Sequence, residues 1–273
     1  MAAPLVANPA VDVVPTPDGE ALAISARSAV RGFLRTVLDP GAPGYGAATA
    51  AAAGRPADSA GLPADDVAAL WAAGLLVLPA ERPDASAAPD VAAAATAFRV
   101  RGFATIPACI DRATVDALVG HYRAAVARGA APVTSTIDRN AMHDDPAGRV
   151  VLRALLPAIE AIAGVPLKPS YSYASLYRPG ASMPMHRDRA QCAYTLALAI
   201  DHRPTPADGV SPWPLTVDPG DGTPPVDHLL PIGGGVMFRG TRLLHGRGPL
   251  APGETCWTLL LHYVDRDFDG PLG

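Results

Sequence analysis

Three side chains are of the types and in the order that hold a divalent metal: His186, Asp188 and His245. His186 and Asp188 stand two apart, and residues two apart on a strand share a face, so an imidazole and a carboxylate can project together into one interior. His245 follows Asp188 by 57 positions, behind an apolar segment and a glycine turn, and adds a second imidazole. Two neutral imidazoles and one hard carboxylate suit ferrous iron, taking one face of an octahedron and leaving three positions open. The same donors accept zinc, nickel or manganese, since ligand type alone selects poorly among these metals. The plainer alternative is three polar groups merely satisfied in a barrel mouth. Chance gives about 0.6 His-x-Asp matches in a chain of this composition, so order and context must carry the assignment. A second match, His143-Asp-Asp145, lies in a polar stretch ending at Asp145-Pro146. With His202, which leads into Pro-rich sequence, it reads as solvated loop.

The elements that must position these groups follow from the hydrophobic pattern. From Leu167 onward, short apolar or alternating segments are separated by Pro/Gly turns: Tyr171 to Tyr177, Met183 to Asp188, Ala193 to Ile200, Trp213 to Val217, His228 to Pro231, Val236 to Arg239 and Trp257 to Val264. Such spacing predicts an antiparallel sandwich or barrel. Upstream, Phe98 to Pro107 alternates like a strand. Asp111 then caps an amphipathic helix carrying Val115, Leu118, Tyr122 and Val126, and a second helix is expected from Gly148 to about Gly164. Residues 1–90 are Ala- and Pro-rich, with helices expected at Glu20 to Leu38 and Pro63 to Leu76. The resulting organisation is a helical extension over 1–90 and a mainly β domain with flanking α-helices over 91–273.

Composition narrows the function classes. The chain has 273 residues, a formal net charge of -4 and a sequence pI near 5.9, so it lacks the overall basic field of a dedicated nucleic-acid binder. Lys168 is the only lysine among 22 basic residues, a bias that makes arginine counts poor evidence by themselves. Cys109, Cys192 and Cys256 are far apart and form no C-x-x-C pair, which argues against a disulfide framework or a cysteine zinc site. The opening residues lack the basic and apolar regions of a secretory signal, and no run approaches about 18 apolar residues. A soluble, cytoplasmic protein without membrane partners is expected. No phosphate-cradling loop of the G-x-x-x-x-G-K-[ST] type occurs, and Gly233-Gly-Gly235 reads as a tight turn.

Taken together, Tyr177-Arg-Pro-Gly180, His186-Arg-Asp188, Leu230 to Phe238 and then His245 resemble the iron(II)- and 2-oxoglutarate-dependent oxygenases, in particular their prolyl-4-hydroxylase-like branch. The resemblance covers roughly Phe98 to Asp267. It implies a double-stranded β-helix (a jelly-roll, cupin-like barrel), Fe(II) held by His186, Asp188 and His245, 2-oxoglutarate as cosubstrate and O2 as oxidant. Retention of Asp188, which related halogenases replace with a small residue, favours hydroxylation or desaturation of a small-molecule or peptide substrate. Arginines near these residues hint at a substrate bearing a carboxylate. One departure stands out. The family places Arg or Lys about ten residues after the distal histidine, where it pairs with the far carboxylate of 2-oxoglutarate; here that residue is Thr255. An unpaired buried carboxylate costs several kcal/mol, so another cation is expected to replace it. Arg247 is the first choice, with Arg178, Arg239 and Arg242 behind it, and Tyr173, Tyr177 and Thr255 as hydroxyl donors. His262 is expected to pack in the core or to support a ligand. The rival readings are an iron oxygenase that does without 2-oxoglutarate, a cupin-like binding protein without turnover, and a scaffold that recruits partners through its N-terminus.

Overall fold

The computed structural model describes residues 5–83, 90–134 and 137–273. The chain divides into two units, Met1–Ala85 with Arg149–Ala154, and Ser86–Gly148 with Leu155–Gly273.

The first unit departs from the helical extension that its composition suggests. Strands β1 (Val6–Ala7), β2 (Val11–Pro15), β3 (Leu22–Ser28) and β4 (Gly32–Leu38) precede helices α1 (Tyr45–Ala52) and α2 (Ala64–Ala72) and strand β5 (Leu76–Val77). The expected helix from Glu20 to Leu38 is a hairpin, with β3 the middle strand of a β2-β3-β4 sheet. Gly32 takes a positive φ of 73° where the chain turns, which ends any helical run at little cost for a residue without Cβ. Ile24, Leu70, Leu75 and Leu76 then close a small core between the sheet and the helices. The second expected helix is present as α2, with Asp65 and Asp66 in its first turn.

The second unit begins with α3 (Val91–Arg101), β6 (Phe103–Ile106), α4 (Arg112–Ala127), β7 (Val133–Thr134), β8 (Arg139–His143) and α5 (Pro146–Ala163). The expected strand from Phe98 is therefore half helix. The Ala-rich run before it propagates a helix to Arg101, and Gly102, at a φ of 77°, ends it and starts the strand. Asp111 and Asp145 cap α4 and α5 by accepting from the backbone N–H groups of Thr114 and Gly148.

Eight further strands follow: β9 (Leu167–Tyr177), β10 (Met183–His186), β11 (Tyr194–Arg203), β12 (Val210–Asp218), β13 (Val226–Pro231), β14 (Gly235–Phe238), β15 (Leu244–Arg247) and β16 (Thr255–Asp265). They build a seven-stranded sheet of order β6-β14-β11-β16-β9-β8-β7 and a four-stranded sheet of order β10-β15-β12-β13. Strands β9 to β16 pass back and forth between the two sheets, which is the double-stranded β-helix expected from the sequence. Phe103, Ala197, Leu215, Val217, Val236 and Phe238 fill the space between them. Each large side chain so buried contributes about 1.5–3 kcal/mol. Among the described residues no helix is long and apolar enough to cross a membrane.

Candidate metal centre and adjoining cavity

Strands β10 and β15 pair antiparallel with His186 directly opposite His245. This register sets the two imidazoles side by side, with ring centroids 4.4 Å apart. Their tautomers are fixed by the backbone: Nδ1 of His186 lies 2.9 Å from the Pro184 carbonyl and Nδ1 of His245 lies 3.0 Å from that of Leu243. A carbonyl only accepts, so each Nδ1 carries a proton, and each Nε2 is left to face Asp188, donating to the carboxylate when protonated and offering its lone pair when an ion takes the proton's place. Both Nε2 atoms converge on Asp188, with Oδ1 at 3.6 Å from Nε2 of His186 and 3.5 Å from Nε2 of His245. Donor atoms of all three residues lie within 4.8 Å of one another, a spacing that one ion can bridge.

Asp188 is held from behind. Its backbone N–H donates to the Gly240 carbonyl, and its Oδ2 accepts from the Thr195 hydroxyl at 2.9 Å. Thr195 has one proton to give, so the contact at 3.0 Å to Nδ1 of His262 is a bond that His262 donates. Burial pushes the Asp188 carboxyl up, but the two facing imidazoles outweigh it and hold it well below the usual carboxylate range. His186 is shifted up, chiefly by Asp188 alongside. His262 is buried and pushed down to about 4 by desolvation, so it is neutral near pH 7. Asp188, Cys192 and His262 also cluster within 4.8 Å. Their donors are already engaged, by Thr195 at Asp188 and His262 and by the Tyr171 hydroxyl, 3.0 Å from the Cys192 sulfur. This second group is a hydrogen-bonded support.

The three converging residues open onto a cavity lined also by Tyr177, Met183, Leu215, Phe238, Arg247, Thr258 and Leu260. Arg247 sits two positions beyond His245 on β15 and is 6% exposed. Its guanidinium lies over the Trp213 ring at 4.7 Å and donates to the Trp213 carbonyl at 2.7 Å. Burial lowers its pKa from the usual arginine value. Among the described residues no carboxylate pairs with it. The Thr258 hydroxyl, also on the cavity wall, is buried without a hydrogen-bond partner.

The structure brings together His186, Asp188, His245, Arg247 and Tyr177 around this cavity, but Thr255 and Tyr173 are not among its lining residues. Thr258 and Leu260 face the cavity from β16, and the period of two turns Thr255 to the other face. Tyr173 instead lies under the Arg139 guanidinium and against His143. Arg178 is occupied by Asp138 and Asn140, and Arg239 covers Phe98 and Tyr194. Arg242 accepts through its carbonyl from Arg187. The solvated-loop reading of the other histidine-aspartate pair holds only for the exposure of His143, which ends β8: Asp145 is buried, caps α5 and accepts from Tyr122, and His202 is buried on β11. Thr195, Thr258 and Arg139 went unread in the sequence. Strand alternation from His262 back to Thr258 was the signal that could have found the second of these.

No family model and no curated protein matches this sequence. Solved structures do. A prolyl-4-hydroxylase from Pseudomonas putida superposes with a TM-score of 0.53 at 21% identity, over 64% of this chain and 99% of that one. The alpha ketoglutarate dependent epimerase SnoN from nogalamycin biosynthesis gives 0.53 at 16% identity, over 67% and 82%. The carbocyclase SnoK from the same biosynthesis gives 0.53 at 15%, over 66% and 86%. At these identities the likeness is one of fold.

Proposed function

We propose that this chain is an iron(II)- and 2-oxoglutarate-dependent oxygenase that hydroxylates an unactivated carbon of a small-molecule or peptide substrate. The observation that carries the reading is a single cavity with both halves of the required chemistry: a convergent His186, Asp188 and His245 donor set, and a buried Arg247 guanidinium without a carboxylate partner. His186 and His245 would hold iron through Nε2 and Asp188 through Oδ1. Iron bound there supplies oxygen chemistry at the positions the protein leaves free. Arg247 binds the far carboxylate of the cosubstrate. It lies two strand positions from His245, about 6.6 Å along the backbone, on the scale of a five-carbon diacid. The Tyr177 and Thr258 hydroxyls complete that end. Leu215, Phe238, Leu260 and Met183 keep water off the ion pair, which strengthens it. The fold neighbours include a hydroxylase, an epimerase and a carbocyclase, so the outcome is set by the substrate held at the mouth.

The test is anaerobic reconstitution with iron(II) followed by titration with 2-oxoglutarate, read by calorimetry and by the visible metal-to-ligand absorption. Chelation by the wild type, lost in His245→Ala and strongly weakened in Arg247→Ala, is expected, with succinate release on adding oxygen and substrate. Tight iron binding without any response to 2-oxoglutarate would overturn the reading in favour of an oxygenase that does without this acid.

A further inference from the structure

Strand β8 brings a second arginine behind Tyr177, a residue of the cavity wall. Arg139 opens β8 and stands directly opposite Tyr177 of β9 in the antiparallel register. Opposed residues share a face, so its side chain rises on the barrel side of the sheet, beside Tyr177. There its guanidinium lies 4.9 Å from the centre of the Tyr173 ring and 5.5 Å from that of Tyr177. One N–H donates to the Tyr177 hydroxyl at 2.9 Å. Nε is buried without a hydrogen-bond partner, and among the described residues no carboxylate pairs with the group. A cation placed so, between aromatic faces and short of an anion, calls for negative charge nearby.

Tyr177 transmits that demand. Its ring is 1% exposed, lines the cavity and packs edge-on against Trp213, the residue that carries Arg247 on its own face and carbonyl. A phenol that accepts from a guanidinium has its own proton free to donate, and the positive charge behind it makes it the stronger donor. Arg139, Tyr177, Trp213 and Arg247 therefore form one connected layer at this end of the barrel. We infer that Arg139 is a positioning residue for the cosubstrate. Through Tyr177 it directs a hydroxyl donor at the same distal carboxylate that Arg247 binds, so that two arginines from β8 and β15 replace the single cation missing at Thr255. The inference rests on the proposed use of 2-oxoglutarate and assigns that site a residue on a strand outside the eight of the double-stranded β-helix.

The experiment is a double-mutant cycle on 2-oxoglutarate affinity, measured by anaerobic titration of the iron(II) protein, with Arg139→Met, Tyr177→Phe and the pair. Arg139→Met is expected to raise the dissociation constant roughly tenfold, the scale of one charge-assisted hydrogen bond, and to leave iron affinity unchanged. In the Tyr177→Phe background the same change is expected to have little further effect. Arg139→Lys, which keeps the charge, is expected to fall between wild type and Arg139→Met, and thermal melts confirm that each variant is folded. An unchanged dissociation constant in Arg139→Met, or full additivity with Tyr177→Phe, would overturn the role through Tyr177. A wild-type iron complex that ignores 2-oxoglutarate would instead sink the functional reading beneath it. Should Arg139→Met fail to fold, the comparison of Arg139→Lys with wild type in both Tyr177 backgrounds decides in the same way.

Discussion

Thr195 shows how much of the candidate centre depends on a residue that no motif contains. Its hydroxyl binds Oδ2 of Asp188 and leaves Oδ1 aimed at the two imidazoles, while His262 supplies the proton that satisfies the hydroxyl from behind. Supports of this kind are typically worth 10- to 100-fold in metal affinity. Thr195→Val, nearly the same in shape but without the hydroxyl, is expected to weaken iron(II) or manganese(II) binding by at least tenfold, and Thr195→Ser to restore most of it. Equal affinities for Thr195→Val and wild type would mean that Asp188 is held by its backbone alone. His262 has a consequence for stability as well. Burial depresses its folded pKa to about 4, below the unfolded value of about 6.5. The unfolded state thus binds the proton more readily, and the contribution of neutral His262 is complete above about pH 6.5 and is lost as pH falls toward 4. The integrated effect is on the order of 3 kcal/mol. Urea midpoints of the metal-free protein at pH 7 and 4.5 should diverge more for wild type than for His262→Gln; parallel shifts would remove this histidine from the acid response.

At the level of elements, strand period and chemistry coincide at His245 and Arg247, two apart on β15 and both on the cavity wall, and the apolar alternation from Leu167 onward maps onto the strands of the barrel. The expected shared strand face of His186 and Asp188 is not what aims them: β10 ends at His186, and Asp188 stands in the loop beyond it, held by the Gly240 carbonyl and the Thr195 hydroxyl. The hairpin at Glu20 to Leu38 was not legible, because alanine and serine fit either backbone and the deciding feature, a left-handed turn at Gly32 with β3 held between two partners, is tertiary. Arg139 was hidden for a related reason: its contact with Tyr177 comes from register with a residue 38 positions away, which no local pattern encodes. The turn after β14 imposes a further requirement. A Cβ at Gly240 would come within 2.3 Å of Oδ2 of Asp188 and 2.4 Å of the Cys192 carbonyl, and the latter is backbone that cannot swing aside. Gly240→Ala is therefore expected to displace Asp188 and cost about 1–3 kcal/mol through overpacking. A lower melting temperature together with weakened metal binding would bear this out, whereas an unaltered metal isotherm would show that the turn adjusts without moving the carboxylate.

Over the whole molecule, ligand binding and stability are linked, and the tryptophans report the two units separately. Trp71 lies in the first unit, while Trp213 and Trp257 are buried in the second, one over Arg247 and the other against Tyr122. An ion that binds the folded second unit but not its unfolded chain adds about 2.7 kcal/mol at a hundredfold excess over its dissociation constant. For a domain of this size that corresponds to a rise of about 5–10 °C in melting temperature. Manganese(II), which accepts the same donors, is the probe, and Trp71→Phe restricts the fluorescence signal to the second unit. The expected pattern is a rise with manganese(II), a further rise when 2-oxoglutarate is added to the metal-loaded protein, and none with 2-oxoglutarate alone. That order follows from the proposed site: Arg247 and Tyr177, both on the cavity wall, would engage one end of the acid, and only a bound metal would fix the other. His245→Ala should lose both increments. Arg247→Ala should keep the first and lose most of the second. An equal manganese(II) response in wild type and His245→Ala would place the ion elsewhere on the protein and leave the convergent histidines without a metal to hold.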